Sequence, residues 1–456
     1  MSGRADKSLH TSRRGLLAGL STLPVLAAAV DAPAATHKAP KTVWAPTPPM
    51  GWNSWNSFAT TITEAQALET AHIMADKLLP HGYRVFTIDI QWYEPGASSY
   101  EYSKNPQPTL DGYGRLLPAP NRFPSSANGA GFTAIATQVH DLGLKFGIHL
   151  MRGIPRLAVE KNLPILGTQF HAQDIANTGS ICPWNPDMYG VDMTKPGAQA
   201  YYNSVFALYA SWGVDFVKMD DMSRPYDAHA PEIEAAHAAI LATGREIWLS
   251  LSPGETPVAR GDHVRQYAQM WRISDDFLDE WPLLESQFTP LESWNVFRQP
   301  GHWPDADMLP LGRLALGARD TKFTPDEQRT LMTLWSVARS PLIMGGDLRH
   351  LDQPTLDLLT NDEVLDVNQK SHGNQPWFFA DGTKVWTAQA ENGDHYLALF
   401  NTTGATATLG FDLNHVGRVS AHVRDLWDKR DLGLSSGRVT ADVPGHGAVL
   451  LRLSKA

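Results

Sequence analysis

Eight short apolar runs that end in polar or small residues recur within the first 350 residues, and this repeat constrains the fold strongly. Most gaps between them contain a stretch with helical periodicity, such as residues 64–79, 231–243 and 325–338. Because the runs are continuously apolar, they are typical of parallel strands that are buried on both faces. The runs cover residues 50–53, 84–92, 145–151, 214–221, 247–254, 270–276, 302–309 and 340–348.

Eight strand–helix units in about 300 residues predict an α/β fold, a (β/α)8 TIM barrel, with its chemistry at the C-terminal ends of the strands. From Pro376 the pattern changes to short strands separated by Gly, Asn and Asp. That pattern predicts a C-terminal antiparallel β-sandwich. We therefore expect the barrel over residues 35–374 and the sandwich over residues 375–456, with a rigid junction because no Ser- or Pro-rich linker separates them.

The stretch between residues 152 and 195 does not fit the repeat. It is rich in Gly, Pro and Asn and contains Trp184 and Tyr189. Long connections at the active face of a barrel often form a lid or a wall of the site. A peripheral insertion without a role at the active site is an equally good interpretation, and the sequence leaves both open.

The N-terminus predicts a targeting segment over residues 1–34. Basic residues precede a short apolar stretch, 16–30, and small residues suited to cleavage follow it. Arg13 and Arg14 after Ser12 resemble a twin-arginine signal. A Sec signal or an uncleaved anchor is the alternative. We expect a bacterial protein that is exported to the periplasm or secreted.

Composition excludes several classes of partner. The formal net charge of −10 argues against nucleic acid and against an anionic membrane surface. Cys182 is the only cysteine in the sequence, so no intramolecular disulfide can form. Most of the 15 tryptophans are expected in the core, and others could offer flat apolar surfaces to sugar rings.

Polar side chains stand at the predicted C-terminal ends of the runs. Because these ends meet at one mouth of a barrel, the side chains should converge there. Convergent carboxylates suggest either a metal site or the two carboxyl groups that glycoside hydrolysis requires. The candidates are Trp52, Asn53, Asp89, His149, Lys218, Asp220, Asp221, Ser250, Ser252, Arg272, Asp275, Asp276, Asp305, Asp307 and Asp347.

The fourth run places Lys218 and Asp220 on the same face of a strand, because side chains two residues apart point the same way. The ammonium group can then hold Asp220 ionised, as a nucleophile should be. Asp221 should point the other way, and we expect it to cap a helix or to form a strand-end hydrogen bond.

The combination of motifs resembles glycoside hydrolase family 27, the α-galactosidase family of clan D. The resembling segments are "PPMGWNSWNSF" (48–58), "SWGVDFVKMDD" (211–221), "WRISDD" (271–276), "GHWPDADMLPLG" (301–312) and the stretch 340–369. The resemblance implies that Asp220 is the nucleophile and that Asp276, four residues after Arg272, is the general acid/base. It also implies a sugar subsite lined by Trp52, Asp89, Lys218, Arg272 and Asp307.

The chain departs from the family pattern where the sugar is recognised. The family's galactosidases usually carry two consecutive aspartates where this chain has Asp89 and Ile90. They usually have a tyrosine at His149 and a polar or acidic residue near Ser252, and a family cysteine is Met222 here. The resemblance therefore implies conserved catalytic machinery with a divergent sugar-binding subsite that includes Ile90, His149 and Ser252.

We expect an exported retaining exo-glycosidase of the α-galactosidase type, which acts on an oligo- or polysaccharide without a cofactor. Its carboxyl groups should lie roughly 5–5.5 Å apart, as in retaining enzymes, and Asp276 should have a raised pKa. A β-L-arabinopyranosidase or another clan D α-glycosidase, on plant or algal polysaccharide, is the alternative. Because Ile90 cannot accept a hydrogen bond from the 4- or 6-hydroxyl, simple α-galactosides should be weaker substrates and β-L-arabinopyranosides relatively favoured. Another polar group could still fill that place.

Two other classes compete with this interpretation. A metal-dependent barrel hydrolase could use His302, Asp305 and Asp307, although Lys218 and Arg272 would place cations at the same mouth. We therefore predict no metal site. A non-catalytic carbohydrate-binding barrel is the second competitor. The sequence leaves the oligomeric state open.

Overall fold

The computed structural model describes residues 43–380 and 382–456, so the predicted targeting segment lies outside the described residues. Eight parallel strands form one curled sheet and confirm the predicted barrel. The first strand pairs with both the second and the eighth, and a parallel bridge from Leu309 to Met344 joins the chain after the seventh strand to the eighth. The strands are β1 (Met50–Asn53), β2 (Val85–Ile88), β3 (Lys145–Met151), β4 (Phe216–Asp220), β5 (Trp248–Leu251), β6 (Met270–Arg272), β7 (Trp303–Asp305) and β8 (Leu342–Met344).

Helices surround the sheet and largely follow the predicted stretches. The helix predicted from residue 325 begins at Pro325, with Thr324 and Glu327 forming a capping box at its start. None of the helices within the described residues is long and apolar enough to cross a membrane. The α-helices are Trp55–Phe58, Glu64–Lys77, Thr133–Asp141, Arg156–Glu160, Ala172–Ile175, Ala198–Trp212, Tyr226–Thr243, Gly261–Tyr267, Trp281–Ser286, Phe288–Trp294, Pro325–Ala338, Gln353–Leu359 and Asp362–Lys370. Short 3-10 turns are Leu79–His81, Pro124–Gly129, Val258–Arg260, Asn295–Phe297, Leu348–His350 and Leu413–Val416.

The inside of the barrel changes from apolar to charged along β4. On β4, Phe216 packs in the apolar cluster inside the barrel, whereas Lys218 and Asp220, two and four residues later, line the cavity at the mouth. This alternation is what the pleat of a strand requires. On β1 the same rule turns Trp52 outward, into the cluster under the helices.

Strand β2 is shorter than the run that predicts it, because it ends at Ile88 rather than near residue 92. The backbone amide of Asp89 bonds to the hydroxyl of Ser54 at 2.9 Å, and the amide of Ile90 bonds to the Asp89 carboxylate at 2.9 Å. These side-chain acceptors take the place of acceptors on the neighbouring strands. The strand therefore ends here, and the chain continues as a loop at the mouth of the barrel.

The insertion after β3 forms regular secondary structure. Three antiparallel strands form a small sheet in the order Ile154–Pro155, Met188–Val191, Ala176–Ile181. The short helices Arg156–Glu160 and Ala172–Ile175 lie between these strands along the chain. Trp184, which follows the strand Ala176–Ile181, reaches the cavity at the mouth of the barrel.

The C-terminal region is an antiparallel sandwich, as predicted, and its first strand begins at His372, directly after the helix Asp362–Lys370. Its six-stranded sheet has the order His372–Ala380, Thr383–Gln389, His395–Asn401, Ala448–Lys455, Ser420–Asp425, Arg430–Ser436, and the strand Ala407–Asp412 pairs with Arg438–Val443. One face of the larger sheet packs on the barrel, where the rings of Phe288 and Phe400 are 5.0 Å apart. The strands are β9 (His372–Ala380), β10 (Thr383–Gln389), β11 (His395–Asn401), β12 (Ala407–Asp412), β13 (Ser420–Asp425), β14 (Arg430–Ser436), β15 (Arg438–Val443) and β16 (Ala448–Lys455).

Candidate active site

A cavity of about 370 Å³ opens at the C-terminal ends of the barrel strands. It brings together side chains from the chain after β2, from β4, from β6 and the segment after it, and from the segment after β7. Both carboxyl groups expected to perform the chemistry line this cavity. Of the predicted site residues, it is lined by Asp89, Ile90, Lys218, Asp220, Arg272, Asp276 and Asp307.

Asp220 is a buried carboxylate with two basic neighbours. Its Oδ2 accepts a hydrogen bond from Nε2 of His149 at 2.9 Å, and Nζ of Lys218 lies 3.7 Å from the same oxygen. Burial raises the pKa of Asp220, but the charges of Lys218 and His149 lower it by more than burial raises it. The pKa therefore lies well below its usual range. Oδ1 has no hydrogen-bond partner within residues 43–380 and 382–456. His149 and Lys218 therefore both act on Oδ2, whereas Oδ1 is buried without a hydrogen bond from the described residues.

Lys218 is shared between two carboxylates. Its Nζ donates to Oδ2 of Asp89 at 3.0 Å, and the same oxygen accepts from Nδ2 of Asn53 at 2.7 Å. Although burial lowers the pKa of Lys218, the charges of Asp220 and Asp89 raise it above its usual value. The lysine stays cationic and can hold Asp220 ionised.

On the other side of the cavity, Arg272 organises the ends of β6 and β7. Its Nη2 lies 2.8 Å from Oδ2 of Asp307, and that oxygen also accepts from the amide of Phe277 at 2.8 Å. The amide of Asp307 donates to Oδ1 of Asp305 at 3.0 Å. Burial and then the charge of Asp307 raise the pKa of Asp305 to about 7. Asp307 is thus fixed at the cavity wall.

The two neighbouring aspartates after β6 differ in their partners. Nη2 of Arg272 lies 3.2 Å from Oδ1 of Asp276, and this side chain is 65% exposed. Asp275 instead pairs with Arg224 in an exposed ion pair at the rim of the cavity. This difference favours Asp276 as the carboxyl group that meets a substrate. Its raised pKa and its separation from Asp220 stay predictions.

Three of the predicted subsite residues do not line this cavity. Trp52 is fully buried, and its indole nitrogen donates to the carbonyl of Gly346 at 2.7 Å. His149 lies behind Asp220 and contacts its carboxylate. Ser252 lies deeper in the barrel, beside a small internal void. Direct contact of these three side chains with a sugar stays a prediction.

The sequence left open whether the insertion forms a wall of the site; Trp184 lines the cavity, and the contacts that hold the insertion there were not predicted. Tyr93 donates to Oδ2 of the buried Asp187 at 2.5 Å, and Nε2 of Gln91 donates to the same oxygen at 2.7 Å. Trp184 lies nearby against Tyr102, with ring centroids 5.9 Å apart. No local pattern links residues so far apart in the chain, although the tryptophan in a long polar loop was one signal.

Asp221 forms a strand-end hydrogen bond, one of the two roles expected for it. Arg152, at the end of β3, donates from Nη2 to Asp221 at 2.8 Å and from Nη1 to Glu232 at 2.6 Å. Although burial lowers the pKa of Arg152, the charges of Glu232 and Asp221 raise it above its usual value. The three buried charges form a structural network behind the site.

Of the three residues considered for a metal, His302 lies apart from Asp305 and Asp307. Nδ1 of His302 contacts the carbonyl of Ala268 at 3.1 Å, at the end of β7 opposite to Asp307. Across the part of the chain that the structure describes, no group of three or more His, Cys, Asp or Glu side chains could hold a metal ion.

Comparisons with known proteins identify relatives for both regions. Residues 188–370 match the family model for alpha galactosidase A, and residues 380–453 match the model for the alpha galactosidase C-terminal beta sandwich domain. The chain is 30% identical to the α-galactosidase of Coffea arabica, over 90% of this chain and 94% of that protein. It is 28% identical to α-galactosidase A of Cellvibrio japonicus, over 97% of this chain and 99% of that protein.

The chain is also similar to a protein of known structure. The crystal structure of a β-L-arabinopyranosidase of glycoside hydrolase family 27 from Geobacillus stearothermophilus matches with a TM-score of 0.89 and 48% identity. The match covers 91% of this chain and 97% of that protein.

Proposed function

The chain belongs to glycoside hydrolase family 27, and we propose that this α-galactosidase-like hydrolase is a retaining exo-glycosidase that favours terminal β-L-arabinopyranosyl residues. The observation that carries the proposal is a cavity that holds Asp220 and Asp276 together with the apolar wall residue Ile90. The substrate is the non-reducing end of an oligo- or polysaccharide.

The chemistry proceeds by double displacement. Asp220 attacks the anomeric carbon while Asp276 protonates the departing glycosidic oxygen. Asp276 then takes a proton from water, which attacks the anomeric carbon and breaks its bond to Asp220. The charge of Lys218 keeps the nucleophile ionised between turnovers, and Arg272 contacts Asp276 at 3.2 Å.

Ile90 supports the choice of sugar. β-L-Arabinopyranose has the ring configuration of α-D-galactopyranose but lacks the C6 hydroxymethyl group. The side chain of Ile90 is 1% exposed and lines the cavity without an acceptor for a hydroxyl. A buried hydroxyl without a partner costs about 1–3 kcal/mol. The identity to the Geobacillus stearothermophilus β-L-arabinopyranosidase supports the same choice.

Hydrolysis of α-D-galactosides is the second candidate function. The same ring configuration lets Asp220 and Asp276 act on both sugars. The α-galactosidase relatives from Coffea arabica and Cellvibrio japonicus favour this candidate. We expect it as a weaker activity of the same site.

Kinetics on 4-nitrophenyl β-L-arabinopyranoside and 4-nitrophenyl α-D-galactopyranoside test the preference. Ile90→Asp supplies an acceptor and should raise the ratio of galactoside to arabinopyranoside kcat/KM roughly tenfold or more. Ile90→Val keeps the wall apolar and serves as the control, with little change in the ratio. A ratio that Ile90→Asp leaves unchanged would show that Ile90 does not face the sugar.

We also propose that the protein is exported to the periplasm or secreted. The proposal rests on the arginine pair Arg13 and Arg14 before the apolar stretch 16–30. Replacement of both arginines by lysine should leave the enzyme in the cytoplasm of the native host. Enzyme activity in the cytoplasmic and periplasmic fractions reports the outcome, and unchanged export would exclude the twin-arginine route.

A further inference from the structure

The sandwich contacts the segment that carries Asp276. A loop between β15 and β16 places the ring of His446 flat on the ring of Trp281, with centroids 3.9 Å apart and planes inclined by 4°. Trp281 lies five residues after Asp276. The contact therefore joins the C-terminal domain to the continuation of the acid/base segment.

His446 is held firmly from the barrel side and from its own domain. Its Nδ1 donates to Oε1 of Glu327 at 2.8 Å, and its carbonyl accepts from the hydroxyl of Thr330 at 2.7 Å. Both partners lie in the first turns of the helix Pro325–Ala338, which follows β7 and so begins at the catalytic face of the barrel. The amide of His446 donates to the carbonyl of Thr403 at 2.9 Å. The stacked ring is a fixed surface.

The acid/base segment is fixed at two further places by the barrel. The amide of Phe277 donates to Asp307 at 2.8 Å. The buried carboxylate of Asp279 accepts from the amide of Lys322 at 2.7 Å and from Nη2 of Arg319 at 2.9 Å. The stack on His446 is the third anchor, and it lies on a different domain.

Asp276 itself depends on these anchors. Its side chain is 65% exposed, and its contact with Arg272, at 3.2 Å, is long for a charge-assisted hydrogen bond. The direction of this carboxyl group is therefore set by the backbone of its segment. A displacement of about 1 Å at a reacting group can lower a rate about a hundredfold.

We propose that His446 is a positioning residue for the general acid/base, so that the sandwich is part of the catalytic apparatus. Through Trp281 it fixes the far end of the segment that carries Asp276. This inference rests on the proposed function, because it takes Asp276 to be the group that protonates the leaving oxygen.

The test compares leaving groups, because a poor leaving group needs protonation and an activated one does not. His446→Ala should lower kcat/KM for methyl β-L-arabinopyranoside roughly ten- to a hundredfold. Its kcat/KM for 2,4-dinitrophenyl β-L-arabinopyranoside should change by no more than about twofold. Rates are normalised to active sites counted by covalent trapping of the nucleophile, so that loss of folded protein does not enter.

Two variants serve as controls. His446→Phe keeps a flat ring on Trp281 and should retain most of the activity on the methyl glycoside. His422→Ala removes an exposed histidine of the same sandwich and should match the parent enzyme. An equal loss with both leaving groups in His446→Ala, or an equal loss in His446→Phe and His446→Ala, would overturn the proposal.

Asp276→Ala separates this inference from the function on which it rests. It should show a larger version of the same leaving-group dependence. If Asp276→Ala shows that dependence and His446→Ala does not, only the positioning role fails. If Asp276→Ala shows none, the assignment of the acid/base itself is wrong.

Discussion

The residues around Asp220 determine whether its carboxyl group is ionised. Its position inside the barrel would favour the neutral acid, whereas Lys218 and His149 stabilise the carboxylate and hold the pKa below its usual range. His149 contacts Oδ2 of this carboxylate, and Oδ1 stays without a hydrogen bond among the described residues.

Substitution of His149 should make the carboxylate of Asp220 easier to protonate. His149→Phe removes the hydrogen bond to Asp220, and the pKa of this carboxyl should rise. Because the ionised form is the active one, the acid limb of the kcat/KM profile should move to higher pH. A profile measured from about pH 3 to pH 8, which spans the usual range of carboxyl and imidazole groups, shows the shift.

The matched control is His72→Phe, which replaces an exposed histidine on the outer helix Glu64–Lys77. It should leave the pH profile unchanged. If His149→Phe also leaves the acid limb in place, His149 does not stabilise the carboxylate of Asp220.

At the scale of elements, a buried charge network joins three parts of the barrel. Arg152 at the end of β3 bonds to Asp221 after β4 and to Glu232 on the helix Tyr226–Thr243. Glu232 also accepts from the amide of Val191 in the insertion at 3.1 Å. The network therefore holds the insertion against the strand that carries Asp220.

Loss of Arg152 should lower the free energy of unfolding. Arg152→Met leaves the two buried carboxylates without a cation, and removal of one member of a buried ion pair costs about 3–5 kcal/mol. Urea unfolding at neutral pH should show this loss in the free energy of unfolding. Arg115→Met removes a partly buried arginine that pairs with Asp111 and should cost less. A loss below about 1 kcal/mol for Arg152→Met would contradict the role of the network.

The elements themselves could be predicted because their signals are local. Continuous apolar runs identified all eight barrel strands, and Pro325 predicted the start of its helix. The early end of β2 could not be predicted, because it depends on the hydroxyl of Ser54, which lies 35 residues away in the chain. The buried contacts of Asp187 with Gln91 and Tyr93 could not be predicted either, because these partners lie 96 and 94 residues away in the chain.

For the site as well, local sequence signals predicted some features, whereas contacts between residues distant in the chain could not be predicted. Alternation along β4 correctly placed Lys218 and Asp220 together on the cavity side. Resemblance alone placed Trp52 in the sugar subsite, whereas alternation along β1 turns it towards the helices. Contacts between domains, such as the stack of Trp281 on His446, have no signature in the local sequence.

For the whole molecule, the barrel and the sandwich share apolar surface. Trp386, Phe400 and Leu450 of the sandwich belong to the same buried cluster as the barrel's helices. Across the junction, the indole nitrogen of Trp427 donates to the hydroxyl of Thr333 at 2.8 Å, and Nδ2 of Asn361 donates to the carbonyl of Leu426 at 2.9 Å. Separation of the two domains would expose this surface and break these bonds.

The two domains should therefore unfold together. Differential scanning calorimetry should show one transition, with equal calorimetric and van't Hoff enthalpies. The variant Phe400→Ala should lower the Tm without splitting that transition, because it weakens the shared core. Two separated transitions in the parent enzyme would show that the domains are thermodynamically independent.

The configuration of the first product tests the catalytic account most directly. Proton NMR during hydrolysis of 4-nitrophenyl β-L-arabinopyranoside distinguishes the two anomers of the released sugar before mutarotation mixes them. Double displacement through Asp220 predicts that β-L-arabinopyranose appears first and that the α anomer follows by mutarotation. First appearance of α-L-arabinopyranose would contradict the assignment of Asp220 as a nucleophile.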